Sequence, residues 1–205
     1  IARFAANPSE IAILPGDKPD DWAAVLGIGK RRTAWDLASV AQKLPEGTYR
    51  LSNATPGMSG LGWMLAHYRF DRFLSEADVP GERILLTTEP ALISEQAQLA
   101  EATALVRDMV NMPAADLGPA ELQAHVEALG KEFDAPVTIT RGDDLETGYP
   151  MIHAVGQAAE RSRAPRLIEL EWGNPAQPRL AIIGKGVVFD SGGLNIKTGS
   201  FMRLM

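Results

Sequence analysis

The sequence contains no cysteine, so no disulfide can staple the fold, and a reducing compartment is compatible with it though not required. Histidine is scarce as well. His67, His125 and His153 are the only three, none is spaced His-x-x-x-His, and a zinc site of that kind is therefore excluded. All three read as structural or surface residues. No apolar run approaches the length of a bilayer span or resembles a signal peptide. A chain that starts at Ile1 without an initiator Met leaves a removed leader open. The formal net charge is −6, and no Lys/Arg-rich face marks nucleic acid or an anionic membrane as a partner. Internal repeats and low-complexity segments are also missing. At 205 residues with 45% hydrophobic content, the chain can build one large or two small cores.

What is present concentrates between Ile182 and Lys197. Leu180–Ile183 reads as a short buried strand, and Gly184, Gly186, Gly192 and Gly193 then allow the backbone to turn tightly. Lys185, Asp190 and Lys197 issue from this otherwise apolar or glycine-rich stretch, where an unpaired buried charge would cost several kcal/mol. A carboxylate between two ammonium groups fits an ion-pair network, a phosphate cradle or part of a metal cluster, and residue types alone do not choose. The phosphate reading fits poorly. A phosphate loop requires an earlier glycine and a Ser or Thr directly after the lysine, and Arg179 and Gly186 stand at those positions.

The rest of the chain alternates helix and strand. Strands are expected at Glu10–Leu14, Thr48–Leu51 and Arg83–Thr87, and Trp22–Ile28 reads equally as strand or short helix. Thr33 is a plausible N-cap for a helix carrying Trp35, Leu37, Val40, Ala41 and Leu44. A largely buried helix is expected over Leu61–Leu74, its aromatics read as core rather than as a ligand platform. No independent ligand signature is read in residues 1–88. Leu92–Val110 forms a long helix with Leu92, Leu99, Val106 and Val110 on one stripe, ended by Asn111-Met112-Pro113. Pro119 opens a helix bearing Leu122, Val126, Leu129 and Phe133, before a strand at Val137–Thr140. Arg141–Asp144 is expected to be a turn, Met151–Ala159 a helix and Arg166–Trp172 a strand. Such alternation predicts an α/β sheet with chemistry at its strand ends.

The string Gly184-Lys185-Gly186-Val187-Val188-Phe189-Asp190-Ser191-Gly192-Gly193, followed by Ile196-Lys197, resembles the signature of the leucyl aminopeptidase (cytosol aminopeptidase) family of two-metal exopeptidases. Asn111-Met112-Pro113 is similar to that family's Asn-Thr-Pro, with Met in place of Thr. Ala154-Val155-Gly156 and Pro165-Arg166-Leu167-Ile168 match as well. Residues 90–205 carry the resemblance closely, and the preceding part loosely.

The resemblance implies an α/β protein: a small N-terminal domain at 1–90, a linker helix at 91–112, and at 113–205 the first part of a catalytic domain with a central mixed sheet. It implies that Lys185 and Asp190 are metal ligands and that Lys197 contacts the substrate carbonyl. The cofactors would be two divalent ions, manganese, zinc or magnesium, with bicarbonate as general base. In the family an Asp shortly after the second lysine and an Asp-x-Glu pair complete the ligands, and an Arg in the same motif holds the bicarbonate. Phe201–Met205 is similar to the run leading to the next ligand, so the sequence is expected to stop inside the active site. The implied protein is a cytoplasmic homo-hexamer releasing apolar, leucine-like residues from the N-termini of peptides, with neither nucleic acid nor membrane as partner. The competing reading is a truncated or diverged relative that binds or assembles without catalysis.

Overall fold

A computed structural model describes residues 4–18, 21–75 and 81–205. The chain divides into two compact units, Ile1–Asn111 and Met112–Met205. The architecture is mixed α/β with small sheets. Among the described residues, no helix is long and apolar enough to cross a membrane.

In the first unit, β1 (Ile11–Pro15) pairs antiparallel with β2 (Trp22–Leu26), Ile11 opposite Leu26 and Pro15 opposite Trp22. The undecided Trp22–Ile28 segment is thus a strand from Trp22 to Leu26. A helix α1 (Ala38–Lys43) leads into β3 (Gly47–Arg50), which runs parallel to β4 (Arg83–Leu86) with Gly47 opposite Arg83. Parallel strands need a crossover, and α2 (Ser59–Ala66) lies in the connection between them. Leu37, Val40, Ala41, Leu44 and Trp63 form the buried core, with Ile11, Leu26, Tyr49 and Leu85 packed against it.

Two helix expectations are corrected here. The first helix starts at Ala38 rather than after Thr33, because Thr33 and Asp36 close a local turn instead: the Thr33 hydroxyl donates to Asp36 Oδ1 at 2.6 Å. The helix expected over Leu61–Leu74 ends at Ala66. His67 and Tyr68 turn the chain with bonds to carbonyls three residues back, Met64 and Leu65, and Phe73 and Leu74 are 55% and 60% exposed. Tyr68 then reaches a different partner, donating to Asp108 Oδ1 at 2.7 Å under the guanidinium of Arg107. Asp108 and Arg107 belong to α3 (Pro90–Asn111), which packs on α2. On α3 the buried residue is Gln96, whereas Leu99, Val106 and Val110 of the apolar stripe are exposed.

The second unit begins with a turn whose Ala114 and Ala115 carbonyls accept hydrogen bonds from the Arg163 guanidinium at 2.6 and 2.7 Å. Next, α4 (Pro119–Glu132) starts at Pro119 as its sequence dictates. β5 (Val137–Arg141) pairs antiparallel with β6 (Arg166–Leu170), Val137 opposite Leu170. The expected turn at Arg141–Asp144 is shorter than that. Gly142 makes the reversal alone at φ 63°, and Asp143 and Asp144 begin α5 (Asp143–Gly148), where carboxylates complement the positive helix end. Leu145 of this helix is fully buried, the deepest side chain of the unit. α6 (Pro150–Gly156) follows, and α7 (Gly199–Met202) closes the chain.

Candidate functional site

The strand expected at Leu180–Ile183 does not form. Residues 171–198 contain no helix or strand, and Leu180, Ile182 and Ile183 are 86%, 90% and 94% exposed. A strand exists only through a paired neighbour that takes up its N–H and C=O groups. Among the described residues β5 and β6 pair only with each other, so an apolar run alone cannot fold into the ladder. The premise of buried charge falls with the strand. Lys185 is exposed, and the Lys197 and Asp190 side chains retain 28% and 42% of their accessible surface.

The glycine-rich turn nevertheless brings two of the three charged residues together. Lys197 Nζ lies 2.7 Å from Asp190 Oδ1. The same oxygen accepts the Gly192 N–H at 2.8 Å, and the Lys197 N–H donates to the Ser191 carbonyl at 2.8 Å. A closed loop results, with the carboxylate at one end of the reversal and the ammonium at the other. Gly192 permits it at φ 92°, since a Cβ there would stand 2.5 Å from the Asn195 carbonyl and 2.9 Å from Lys197 Cγ. Lys197 Nζ also contacts Met205 Sδ at 3.2 Å. The Lys197 ammonium foremost, then the Gly192 N–H, hold the Asp190 carboxyl below the ordinary aspartate value, and Lys185 adds a weaker attraction. Asp190 is thereby kept as a carboxylate.

Lys185 sits before this loop on open chain and makes no ion pair among the described residues. As donors, Asp190 supplies a hard oxygen and Lys185 an amine that can bind a cation only after losing its proton. Asp190 Oδ2 makes no hydrogen bond among the described residues, which leaves one carboxylate oxygen for a cation. The donor set fits part of a divalent-metal site. Among the described residues, no group of three or more His, Asp or Glu side chains is placed to hold an ion.

The sequence profile described as the cytosol aminopeptidase family, catalytic domain, matches residues 104–205, and that of the M17 aminopeptidase N-terminal domain matches residues 2–85. A probable cytosol aminopeptidase of Rhodococcus erythropolis is 36% identical, the match covering 97% of this chain and 44% of the relative. Another, from Syntrophotalea carbinolica, is 38% identical over 70% of this chain and 32% of its own length. The crystal structure of the cytosol aminopeptidase from Coxiella burnetii superposes with a TM-score of 0.85 at 33% identity, covering all of this chain and 45% of that one. The bottromycin maturation enzyme BotP, in complex with Mn, gives a TM-score of 0.78 at 28% identity over 97% of this chain and 47% of its own. The chain spans less than half the length of these relatives. With both profiles matched, and a solved relative's fold followed along its whole length, the chain belongs to the cytosol aminopeptidase family.

Proposed function

We propose that this chain contributes the N-terminal unit and the first part of the active site of a metal-dependent aminopeptidase acting on peptides with apolar, leucine-like N-terminal residues. The observation that carries the reading is the loop itself. Gly184–Lys197 holds the family's signature residues, and its turn sets the Asp190 carboxylate and the Lys197 ammonium side by side.

Each residue has a distinct task. Asp190, ionised and oriented by the Gly192 N–H, would hold a divalent cation together with Lys185. A carboxylate oxygen such as that of Asp190 suits manganese, and the BotP relative was solved with it. Bound divalent ions supply a nucleophile from water near neutral pH and polarise a carbonyl. Lys197 has a carboxylate as its nearest partner, and an ammonium held there can stabilise negative charge as it develops on a substrate oxygen. Such a contact is commonly worth about 3 kcal/mol of barrier. Homo-hexameric assembly, cytoplasmic location and a bicarbonate base belong to the same proposal and rest on family membership.

The test is metal-dependent hydrolysis. Full-length protein that carries this chain should bind Mn(II) by electron paramagnetic resonance and release 4-nitroaniline from leucine 4-nitroanilide; chelation should abolish turnover and Mn(II) restore it. A metal-loaded protein that leaves leucyl substrates intact would instead support the non-catalytic binding module.

A further inference from the structure

The first unit contains a cavity of about 220 Å³ that the proposed chemistry does not use. It lies beyond the carboxyl ends of the parallel strands β3 and β4, where the chain leaves for α2 and α3. Crevices at that end of a parallel pair are where α/β units commonly bind ligands. Trp63, Met64, Leu85, Leu92 and Ile93 make most of its wall apolar. No lysine, arginine or histidine lines it, so it does not suit a phosphate or another anion.

Glu89 and Gln96 offer acceptors, and the Thr87 hydroxyl, which accepts the Glu89 N–H at 3.1 Å, adds a donor. Glu89 uses Oε2 to take the Gly57 N–H at 3.1 Å, and Oε1 makes no hydrogen bond among the described residues. Gln96 is only 2% exposed, yet lines the cavity from the middle of a surface helix. Its Nε2 donates to the Gly57 carbonyl at 2.8 Å, which fixes the amide plane; Oε1 has no donor among the described residues. That oxygen keeps accessible surface, so a ligand N–H can take the place of water on it. The wall therefore offers a carboxylate and an amide oxygen above an apolar floor.

We propose that this cavity binds a small primary ammonium with a compact aliphatic body, its charge at Glu89 and Gln96 and its hydrocarbon against Trp63 and Leu92. Drug-sized pockets span roughly 300–1,000 Å³, so this one takes something smaller. An apolar amino-acid amide or ester belongs to this ligand class, whereas the free amino acid that the proposed aminopeptidase reaction would release carries a carboxylate that meets Glu89 with no cation to balance it. The assignment does not depend on that reaction, because every residue in it lies in the first unit.

The experiment uses the 205-residue chain with EDTA present, so that no metal-held amine contributes, and leucinamide as the probe. Saturable changes in tryptophan fluorescence and in ligand-observed NMR are expected. N-acetyl-leucinamide, which has the same body without the ammonium, should not bind. Glu89→Gln retains an acceptor for Gly57 and should keep the melting temperature while weakening leucinamide about tenfold or more, the loss of one charge-assisted bond. Ile93→Trp should fill the cavity and abolish binding, whereas Asp190→Asn in the second unit should leave it unchanged. No saturable leucinamide binding would overturn the proposal. Equal binding of the acetylated probe, equal binding by folded Glu89→Gln, or loss of binding in Asp190→Asn would each do the same. If Glu89→Gln unfolds, the two probes on the unaltered chain still decide.

Discussion

The ammonium of Lys197 lies 2.7 Å from Oδ1 of Asp190, so a residue assigned to transition-state charge and one assigned to metal are each other's partner. A cation at Asp190 competes with Lys197 for that carboxylate. Asp190→Asn keeps the size and the Gly192 bond but loses the charge, and should weaken Mn(II) binding by about tenfold or more. Lys197→Ala should leave Mn(II) binding intact or tighter while lowering kcat and kcat/KM together. Because the pair is partly exposed, losing Lys197 should cost under about 1 kcal/mol of stability. Lys185→Arg, with no lone pair to donate, should lower Mn(II) occupancy as well as activity. Metal titration and steady-state kinetics on the three variants of the full-length protein check the division; equal metal loss in all three would reduce both lysines to counter-ions of Asp190.

The glycines of the loop are not equivalent. Gly192 and Gly193 both have positive φ, 92° and 72°, so alanine at either is strained by about 1–2 kcal/mol. Only at Gly192 would the new methyl group strike the Asn195 carbonyl and Lys197, whereas nothing lies within 4 Å at Gly193. Gly192→Ala should therefore lose more Mn(II) affinity than Gly193→Ala, and both should lower the melting temperature, Gly192→Ala by more. A metal titration showing equal losses would mean that the Asp190–Lys197 geometry does not govern binding.

Local rules were enough where the signal was local. Pro119 starts α4, and the alternation around Leu167, Ile168 and Leu170 marks β6. They failed where a distant partner decides. The run Leu180–Ile183 has the composition of a buried strand, but a ladder needs a neighbour and composition cannot supply one. Tyr68 sits in helical phase with Leu61 and Met64, yet its hydroxyl is drawn to Asp108, forty residues away, and the helix has already ended. In the site, the motif identified Asp190 and Lys197 and the glycines that let them meet, and an ion-pair network was among the open readings, but residue types could not choose which lysine pairs with Asp190. The cavity in the first unit went unread because Glu89 and Gln96 carry no motif. Their meaning comes only from the crossover that sets them beside Gly57.

Leu145 is the fully buried side chain of the second unit, held between the reversal at Gly142 and the start of α6. Leu145→Ala should cost about 2–5 kcal/mol, the range for emptying a packed leucine site. Urea unfolding followed by circular dichroism checks it; a loss below about 1 kcal/mol would mean that this helix packs loosely in solution.

Glu121 gives the second unit a pH dependence whose sign follows from its contacts. Its carboxylate accepts the Gly118 N–H at 2.8 Å across the first turn of α4, and Gly118 has no side chain to share the capping. Backbone N–H groups, its own first and then that of Gly118, hold the Glu121 carboxyl below the ordinary glutamate value of 4.5. A carboxyl whose folded pKa is depressed stabilises the fold above its unfolded pKa, and that contribution fades as pH falls through the folded value. The cap should thus be fully present at neutral pH and decay below about pH 4.5. Glu121→Gln retains an acceptor but no charge, so it should be less stable than the parent at pH 7 and nearly equal to it at pH 3. Urea midpoints of both proteins measured from pH 7 to pH 3 should converge toward acid. A constant difference across that range would show that the carboxylate's charge contributes nothing to the start of α4.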